Sequence, residues 1–364
     1  MQKKYEKLMR ECLKLAQKAE GKTSPNPMVG AVIFDDDFNI ISKGYHEKYG
    51  EAHAEVNAVK NAGQSVRGLS IAVNLEPCSH HGKTPPCADM IIREGIKRVV
   101  VGMRDPNPVV YENGIKKLKD AGIEVITGIL EDECRKLNEV FVKDHMEEKP
   151  FVAIKTATTL DGKIACENGS SKWITSEKSR KIVQKLRNKY DAILTGSNTI
   201  MKDNPSLNCR LKNGKNPIRI VVDSKLKTDP KSKVYKNDGT KIYIITDKDM
   251  PETAKQKYQK HIEFINCSVK NEKINLEEAF DTLYKKGTKS ILVEAGANLN
   301  YAIIKNNLAD KLIQFIAPKI LGDKGSISFV EGFRLNDINN TKNLEITEVK
   351  NLKPDIMIEA FFKK

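Results

Sequence analysis

Residues 70–103 read SIAVNLEPCSHHGKTPPCADMIIREGIKRVVVGM. The apolar runs at 70–75 and 97–102 have the length and composition of buried strands. Residues 87–94 between them carry a helical pattern that stops at Gly95. Working outward, residues 5–19 place Leu8, Met9, Cys12, Leu13 and Ala16 at helical spacing, and Val29 to Phe34 with Ile40 to Ser42 read as a hairpin split by Asp35-Asp36-Asp37. A helix over 53–62 precedes the stretch; a helix near 113–121 and a strand near 123–126 follow it. This alternation of helix and strand implies a layered α/β fold.

The same stretch carries Glu76-Pro77-Cys78 and Pro85-Pro86-Cys87, and His53-Ala54-Glu55 stands upstream of it. One imidazole and two thiolates leave the fourth position of a zinc ion open to water, whose pKa then falls from about 15.7 toward roughly 7. His53 and Glu55 are two residues apart, so on a helix they point in different directions and do different jobs. His53, Cys78 and Cys87 are expected to bind one zinc per chain. Glu55 is expected to take the proton of the water and deliver protons to a ring nitrogen and to leaving ammonia. Zinc-dependent base deaminases share this arrangement. Cys87, after two prolines, suits a helix entrance, where the dipole favours a thiolate. Eight residues separate Cys78 from Cys87 where the usual motif has two, and the polar segment from Ser79 to Pro85 has the composition of a loop that contacts substrate. Two alternatives stay open: His80 or His81 as a further ligand, and a closed zinc site that only supports the fold. Either would fill the position that hydrolysis needs, and neither gives Glu55 a task.

At 364 residues the chain is long enough for two domains. Residues 143–150, Lys-Asp-His-Met-Glu-Glu-Lys-Pro, are the best linker candidate. The division expected is 1–145 and 146–364. In the second part, strands are expected at 151–157, 191–195, 218–222, 241–245, 290–294, 311–317 and 355–362, with helices at 177–188, 275–286 and 297–305, again α/β. Residues 1–150 hold 23 basic and 23 acidic side chains, so the net charge of +14 belongs wholly to the later residues. A solvated lysine-rich surface explains such an excess more readily than a nucleic-acid face, and a few of the cations suit phosphorylated small molecules. Seven cysteines without a small-scaffold spacing read as thiols or metal ligands in a reducing compartment. The charged start, Met1-Gln2-Lys3-Lys4-Tyr5-Glu6, lacks the apolar core of a signal peptide, and no apolar run approaches the roughly 18 residues of a membrane span. A cytoplasmic protein with no membrane partner is the expectation.

Further motifs extend the pattern: Pro25-Asn26-Pro27-x-Val29-Gly30, Gly44-Tyr45-His46 and Asp105-Pro106-Asn107-Pro108 in the first half. The second half has Leu160-Asp161-Gly162-Lys163, Trp173-Ile174-Thr175-Ser176, Val222-Asp223-Ser224, Val293-Glu294-Ala295-Gly296 and Ala317-Pro318-Lys319. With the expanded cysteine spacing, they resemble the bacterial family of bifunctional riboflavin-biosynthesis deaminase-reductases over nearly the full length. The resemblance implies a cytidine-deaminase-like three-layer α/β/α domain followed by a dihydrofolate-reductase-like α/β domain. It implies zinc-hydroxide deamination of a diaminopyrimidinone ribosyl phosphate, then NADPH-dependent reduction of the ribosyl group to ribityl. By resemblance, Asn26, His46, Lys83, Asp105 and Asn107 line the deaminase pocket, with Lys83 and His46 as charged contacts for the substrate phosphate. Ala157, Trp173, Thr199, Asp203, Ser224, Gly296, Ala297, Asn298 and Leu299 neighbour the NADPH cofactor. Ser171, Leu207, Glu294 and two arginines suited to bidentate phosphate recognition, Arg187 and Arg210, surround the second substrate. Asp203 and Glu294 are the candidate proton donors. A homo-oligomer is implied as well.

The residues themselves add two points. No Gly-x-Gly-x-x-Gly follows a strand, which argues against a Rossmann cofactor site, whereas Gly296 before a helix offers free backbone N–H groups to a pyrophosphate. Aromatic residues make up only 6% of the chain and form no stripe with basic residues, which disfavours a nucleic-acid deaminase. A zinc-stabilised regulatory protein remains the non-enzymatic reading, and Glu55 has no role in it.

Overall fold

The computed structural model describes residues 1–79, 85–107 and 111–363 and divides into two compact units, Met1–Glu148 and Lys149–Lys364. In the first, helices α1 (Gln2–Gln17), α2 (Ala54–Ala62), α3 (Cys87–Arg93), α4 (Asn113–Asp120), α5 (Glu131–Leu137) and α6 (Glu139–Glu147) surround strands β1 (Gly30–Phe34), β2 (Ile40–Tyr45), β3 (Ser70–Leu75), β4 (Arg98–Met103) and β5 (Glu124–Ile126). The sheet order is β2-β1-β3-β4-β5; β1 runs antiparallel to β2 and β3, and β3, β4 and β5 are parallel.

Every residue of β1 and β3 is buried, because both faces of the sheet are covered. On one face Val32, Phe34, Ala72, Val100 and Met103 pack with Tyr5, Leu8, Met9, Cys12 and Leu15 of α1. On the other, Ala31, Ile33, Ile71, Val73, Val99 and Val101 pack with Ala54, Ala58, Ala88, Ile91 and Leu118 from α2, α3 and α4. The result is three layers, α/β/α. Gly44 of β2 is required by α2: a Cβ there would collide with the backbone of Ala54 and Ala58. The segment expected as a linker is instead helical through Glu147, and Phe141 and Val142 of α6 pack against the α1-side core.

The second unit contains β6 (Phe151–Thr159), β7 (Lys163–Ala165), α7 (Glu177–Lys189), β8 (Ala192–Gly196), α8 (Ser197–Asp203), β9 (Ile218–Val222), β10 (Ile242–Asp247), α9 (Glu252–Lys255) and β11 (Ile262–Cys267). Next come β12 (Val269–Lys270), β13 (Lys273–Ile274), α10 (Leu276–Lys285), β14 (Ser290–Val293), α11 (Ala297–Lys305), β15 (Lys311–Ala317), β16 (Ile327–Ser328), β17 (Leu344–Asn351) and β18 (Ile356–Phe362). Nine strands form one sheet in the order β11-β10-β9-β8-β14-β6-β15-β18-β17. It is parallel from β11 to β15, and β18 and β17 close it antiparallel. Leu276, Phe280, Leu283, Ile303 and Ile304 of α10 and α11 cover one face over Ile154, Leu194, Ile220, Ile245 and Val293. Ile193, Val221, Ile242 and Ile244 face the other way, with Ile200, Val234, Tyr235 and Tyr258. Among the described residues no helix is long and apolar enough to cross a membrane.

Candidate active sites

Three donor atoms converge just past the carboxyl end of β3. His53 is the N-cap of α2, Cys87 opens α3 after Pro86, and Cys78 follows Leu75 by three residues. His53 Nδ1 lies 3.2 Å from Cys87 Sγ and 3.7 Å from Cys78 Sγ, and all three ligand atoms fall within 4.8 Å of one another. A tetrahedral zinc with bonds near 2.1 Å to nitrogen and 2.3 Å to sulfur separates such atoms by roughly 3.5–3.8 Å, so the triad fits the ion with little adjustment. The backbone N–H of Cys87 donates to Cys78 Sγ at 3.3 Å. The Cys87 thiol and His53 stabilise the Cys78 thiolate and bring its pKa down to about 4. Cys78 is therefore ready to bind a cation at neutral pH.

Glu55, in the first turn of α2, is 4% exposed, and burial pushes its carboxyl above the ordinary range. A raised pKa moves a carboxyl in the direction that suits general acid-base work. Glu55, His53 and Cys78 open into a cavity of about 340 Å³ with Asn26, His46, Asp105 and Asn107. The backbone around Asn26 is held by two buried amides: Asn138 Oδ1 accepts from Met28 N–H, and Asn74 Oδ1 accepts from Gly30 N–H.

His46 departs from the charged role expected for it. Its Nδ1 lies 3.0 Å from the carbonyl oxygen of Ala52, which can only accept, so Nδ1 carries the proton and Nε2 faces Asn26 Nδ2 at 3.4 Å. Burial lowers its pKa, which favours the neutral ring over the cation. Lys83, His80 and His81 lie outside the described residues. The cavity also takes in Tyr49, Glu76, Phe141 and His145, which the sequence reading did not select. Phe141 and His145 stand one turn apart on α6 with their rings edge to face at 4.5 Å.

In the second unit a cleft of about 770 Å³ opens along the carboxyl ends of the central strands. Ala157, Ser171, Trp173, Arg187, Thr199, Asp203, Arg210, Ser224, Glu294, Gly296, Ala297, Asn298 and Leu299 all line it. Leu207 does not. It is 3% exposed and packs with Ile193, Ile200 and Val221. Gly296 caps α11, whose first N–H groups open toward the cleft.

Arg187 also differs from expectation. Its Nε and Nη2 donate to the two oxygens of Glu294 at 2.7 and 3.0 Å, and its Nη1 donates to the Asn208 carbonyl, so the fork is already occupied. Lys155 Nζ reaches Glu294 at 2.8 Å from the other side. Burial pushes the Glu294 carboxyl up, but Lys155 and Arg187 overcome it and hold the group ionised well below the usual carboxylate range. Lys155 was missed in the sequence, although a lone lysine inside the apolar run of β6 is itself a signal, because an unpaired buried cation is costly. Arg210 is exposed at the cleft, with its backbone N–H fixed by Gln184 Oε1. The guanidinium of Arg180 stacks 4.5 Å from the ring centre of Trp173, which is 63% exposed.

Two family signatures match the chain: the cytidine and deoxycytidylate deaminase zinc-binding region over residues 2–103, and the RibD C-terminal domain over residues 150–358. The riboflavin biosynthesis protein RibD of Aquifex aeolicus is 40% identical over 98% of this chain and 97% of its own length. That of Escherichia coli is 36% identical over 98% and 99%. Among solved structures, a diaminohydroxyphosphoribosylaminopyrimidine deaminase/5-amino-6-(5-phosphoribosylamino)uracil reductase from Thermotoga maritima superposes with a TM-score of 0.88. It is 38% identical and covers 100% of this chain and 99% of that one. RibD of Acinetobacter baumannii gives a TM-score of 0.87 at 32% identity, with 100% of both chains covered.

Proposed function

Since the chain belongs to the RibD family of bifunctional riboflavin-biosynthesis enzymes, we propose which unit and which residues perform each of its two reactions. The protein is a deaminase and a reductase on one chain. We assign deamination of the diaminopyrimidinone ribosyl phosphate to the first unit and reduction of its ribosyl group to the second. The observation that carries this division is the convergence of His53, Cys78 and Cys87, with His53, Cys78 and the buried Glu55 lining one cavity.

In the first unit His53, Cys78 and Cys87 hold the zinc, which when bound supplies a water acidic enough to ionise near neutral pH. Glu55 accepts the proton of that water and returns protons to the ring nitrogen and the leaving amine. Its raised pKa suits both directions of transfer. Asn26, neutral His46, Asp105 and Asn107 present hydrogen-bonding groups to the polar edge of the ring, and Lys83 is kept as the cation for the phosphate.

In the second unit the nicotinamide cofactor supplies hydride. Thr199, Asp203, Ser224 and the N-terminus of α11 from Gly296 to Leu299 are assigned to it, because free N–H groups at a helix start suit a pyrophosphate. NADPH is the form proposed. Its binding is expected to quench the fluorescence of Trp173, the only tryptophan, with saturation at lower concentration for NADPH than for NADH; equal titrations would remove the preference. Ala157 is assigned to the cofactor as well and Ser171 to the substrate, and Arg210 is left as the arginine for the substrate phosphate. Glu294, ionised, accepts hydrogen bonds and has no proton to give.

The deciding experiment supplies the diaminopyrimidinone ribosyl phosphate with and without NADPH and follows ammonia and reduced-nicotinamide absorbance. Ammonia in both samples, and NADPH oxidation when it is present, supports both assignments. Ammonia without oxidation removes the second.

The reading extends to assembly and location. Ile346 and Val349, each 61% exposed, lie on β17 at the open edge of the nine-stranded sheet, and a second copy covering that edge would satisfy its backbone. Ile346→Glu is expected to lower the mass measured by sedimentation, and a parent protein that sediments as one chain would remove the proposal. All seven cysteines are free, which supports a reducing cytoplasm. No nucleic-acid or membrane partner is proposed.

A further inference from the structure

Glu76 stands two residues before the ligand Cys78, is 3% exposed, and lines the deaminase cavity. It is neither one of the three grouped metal ligands nor the carboxyl beside them. Its oxygens accept four backbone hydrogen bonds from one later segment. Oε2 accepts from Asp105 and Glu112, both at 3.2 Å, and Oε1 accepts from Gly114 at 3.1 Å and Ile115 at 3.2 Å. Gly114 and Ile115 belong to the first turn of α4, whose N-cap, Glu112, makes no side-chain cap bond. A carboxylate just past the end of β3 thus does the work that the local N-cap does not, satisfying orphan N–H groups at the positive end of the helix.

The approach is close on both sides. A Cβ on Gly114 would overlap the Pro77 carbonyl oxygen and lie 3.3 Å from Glu76 Oε1, so only glycine lets α4 seat against this strand end. The anchored segment carries Asp105, 7% exposed, and Asn107, both lining the cavity. Asp105 Oδ1 accepts from the Asn107 N–H at 2.9 Å, so fixing the Asp105 backbone fixes both.

We propose that Glu76 is a positioning residue of the deaminase site, its acceptance from the N–H groups of Asp105, Glu112, Gly114 and Ile115 holding Asp105 and Asn107 where the substrate ring meets them. This rests on the reading of the cavity as the deaminase site. Glu76→Gln keeps the shape of the side chain but replaces one acceptor oxygen with a donor facing N–H groups. In the full-length protein the KM of deamination should rise about tenfold or more, with kcat at saturation within about threefold and one zinc per chain retained. Gly114→Ala, which leaves the carboxylate in place and displaces the helix start, should show the same rise in KM. A Glu76→Gln protein with full zinc and unchanged KM would overturn the proposal. So would loss of zinc with kcat and kcat/KM lost together, which marks a merely structural role. A parent protein that retains zinc but releases no ammonia overturns the deaminase reading, and this proposal with it. An active parent isolates the question to Glu76.

Discussion

Glu55→Gln should abolish ammonia release while the protein keeps one zinc per chain. The amide cannot take a proton from water, and a positioned general acid-base group contributes roughly 10²–10⁴-fold to the rate. Residue 55 is not one of the three clustered ligands, so metal content by elemental analysis should be unchanged. Reduction of the deaminated intermediate, supplied directly, should proceed at the parent rate, because its cleft is built from other residues. Ammonia release within tenfold of the parent would remove Glu55 from the proton path, and loss of the metal would place it in the ligand shell instead.

The second large effect is expected at Glu294. Its carboxylate lies between Lys155 and Arg187, and the three side chains are only 11–13% exposed. Glu294→Gln leaves two nearly buried cations without their counter-charge, a change that costs about 3–5 kcal/mol. For a unit of this size the melting temperature should fall by roughly 6–20 °C, read as the transition of the second unit, and reduction should be lost with it. The pH dependence follows from the direction of the shift. An acid whose folded pKa lies below its unfolded value of 4.5 gives its stability in full above that value. The contribution disappears as pH falls toward the folded pKa, so parent and variant should differ most near neutrality and converge in acid. A pH-independent difference would mean that packing, not charge, is what Glu294 provides.

Fold and site were legible to different depths. Strands with near-continuous apolar runs, such as β3, β4, β9 and β14, lie within a residue or two of where their composition puts them, since burial on both faces leaves few other sequences possible. β17 escaped the reading. Leu344, Ile346 and Val349 are mostly exposed, and the register shift between Ile346 and Glu348 breaks the two-residue period. The three candidate metal ligands and Glu55 were legible because their chemistry is local to two short motifs. The partners of Arg187 and Glu76 were not: Arg187 meets a carboxylate 107 residues away, and Glu76 meets backbone N–H groups that have no residue signature. For His46, the burial that lowers its pKa and the Ala52 carbonyl that fixes its tautomer are both invisible until the chain folds.

The strand order of the second sheet bears on how the protein is made. In the first unit every strand has been synthesised by Ile126, and neighbours follow one another closely. In the second, β6 is the first strand to leave the ribosome, yet its partners are β14 and β15; Phe151 waits for Ser290, 139 residues later. At about 5–20 residues per second that delay is roughly 7–28 s. During it an apolar strand has no sheet to join and is exposed to nascent-chain chaperones and to aggregation. A polypeptide cut short before Lys311 would lack β15 and leave one edge of β6 open.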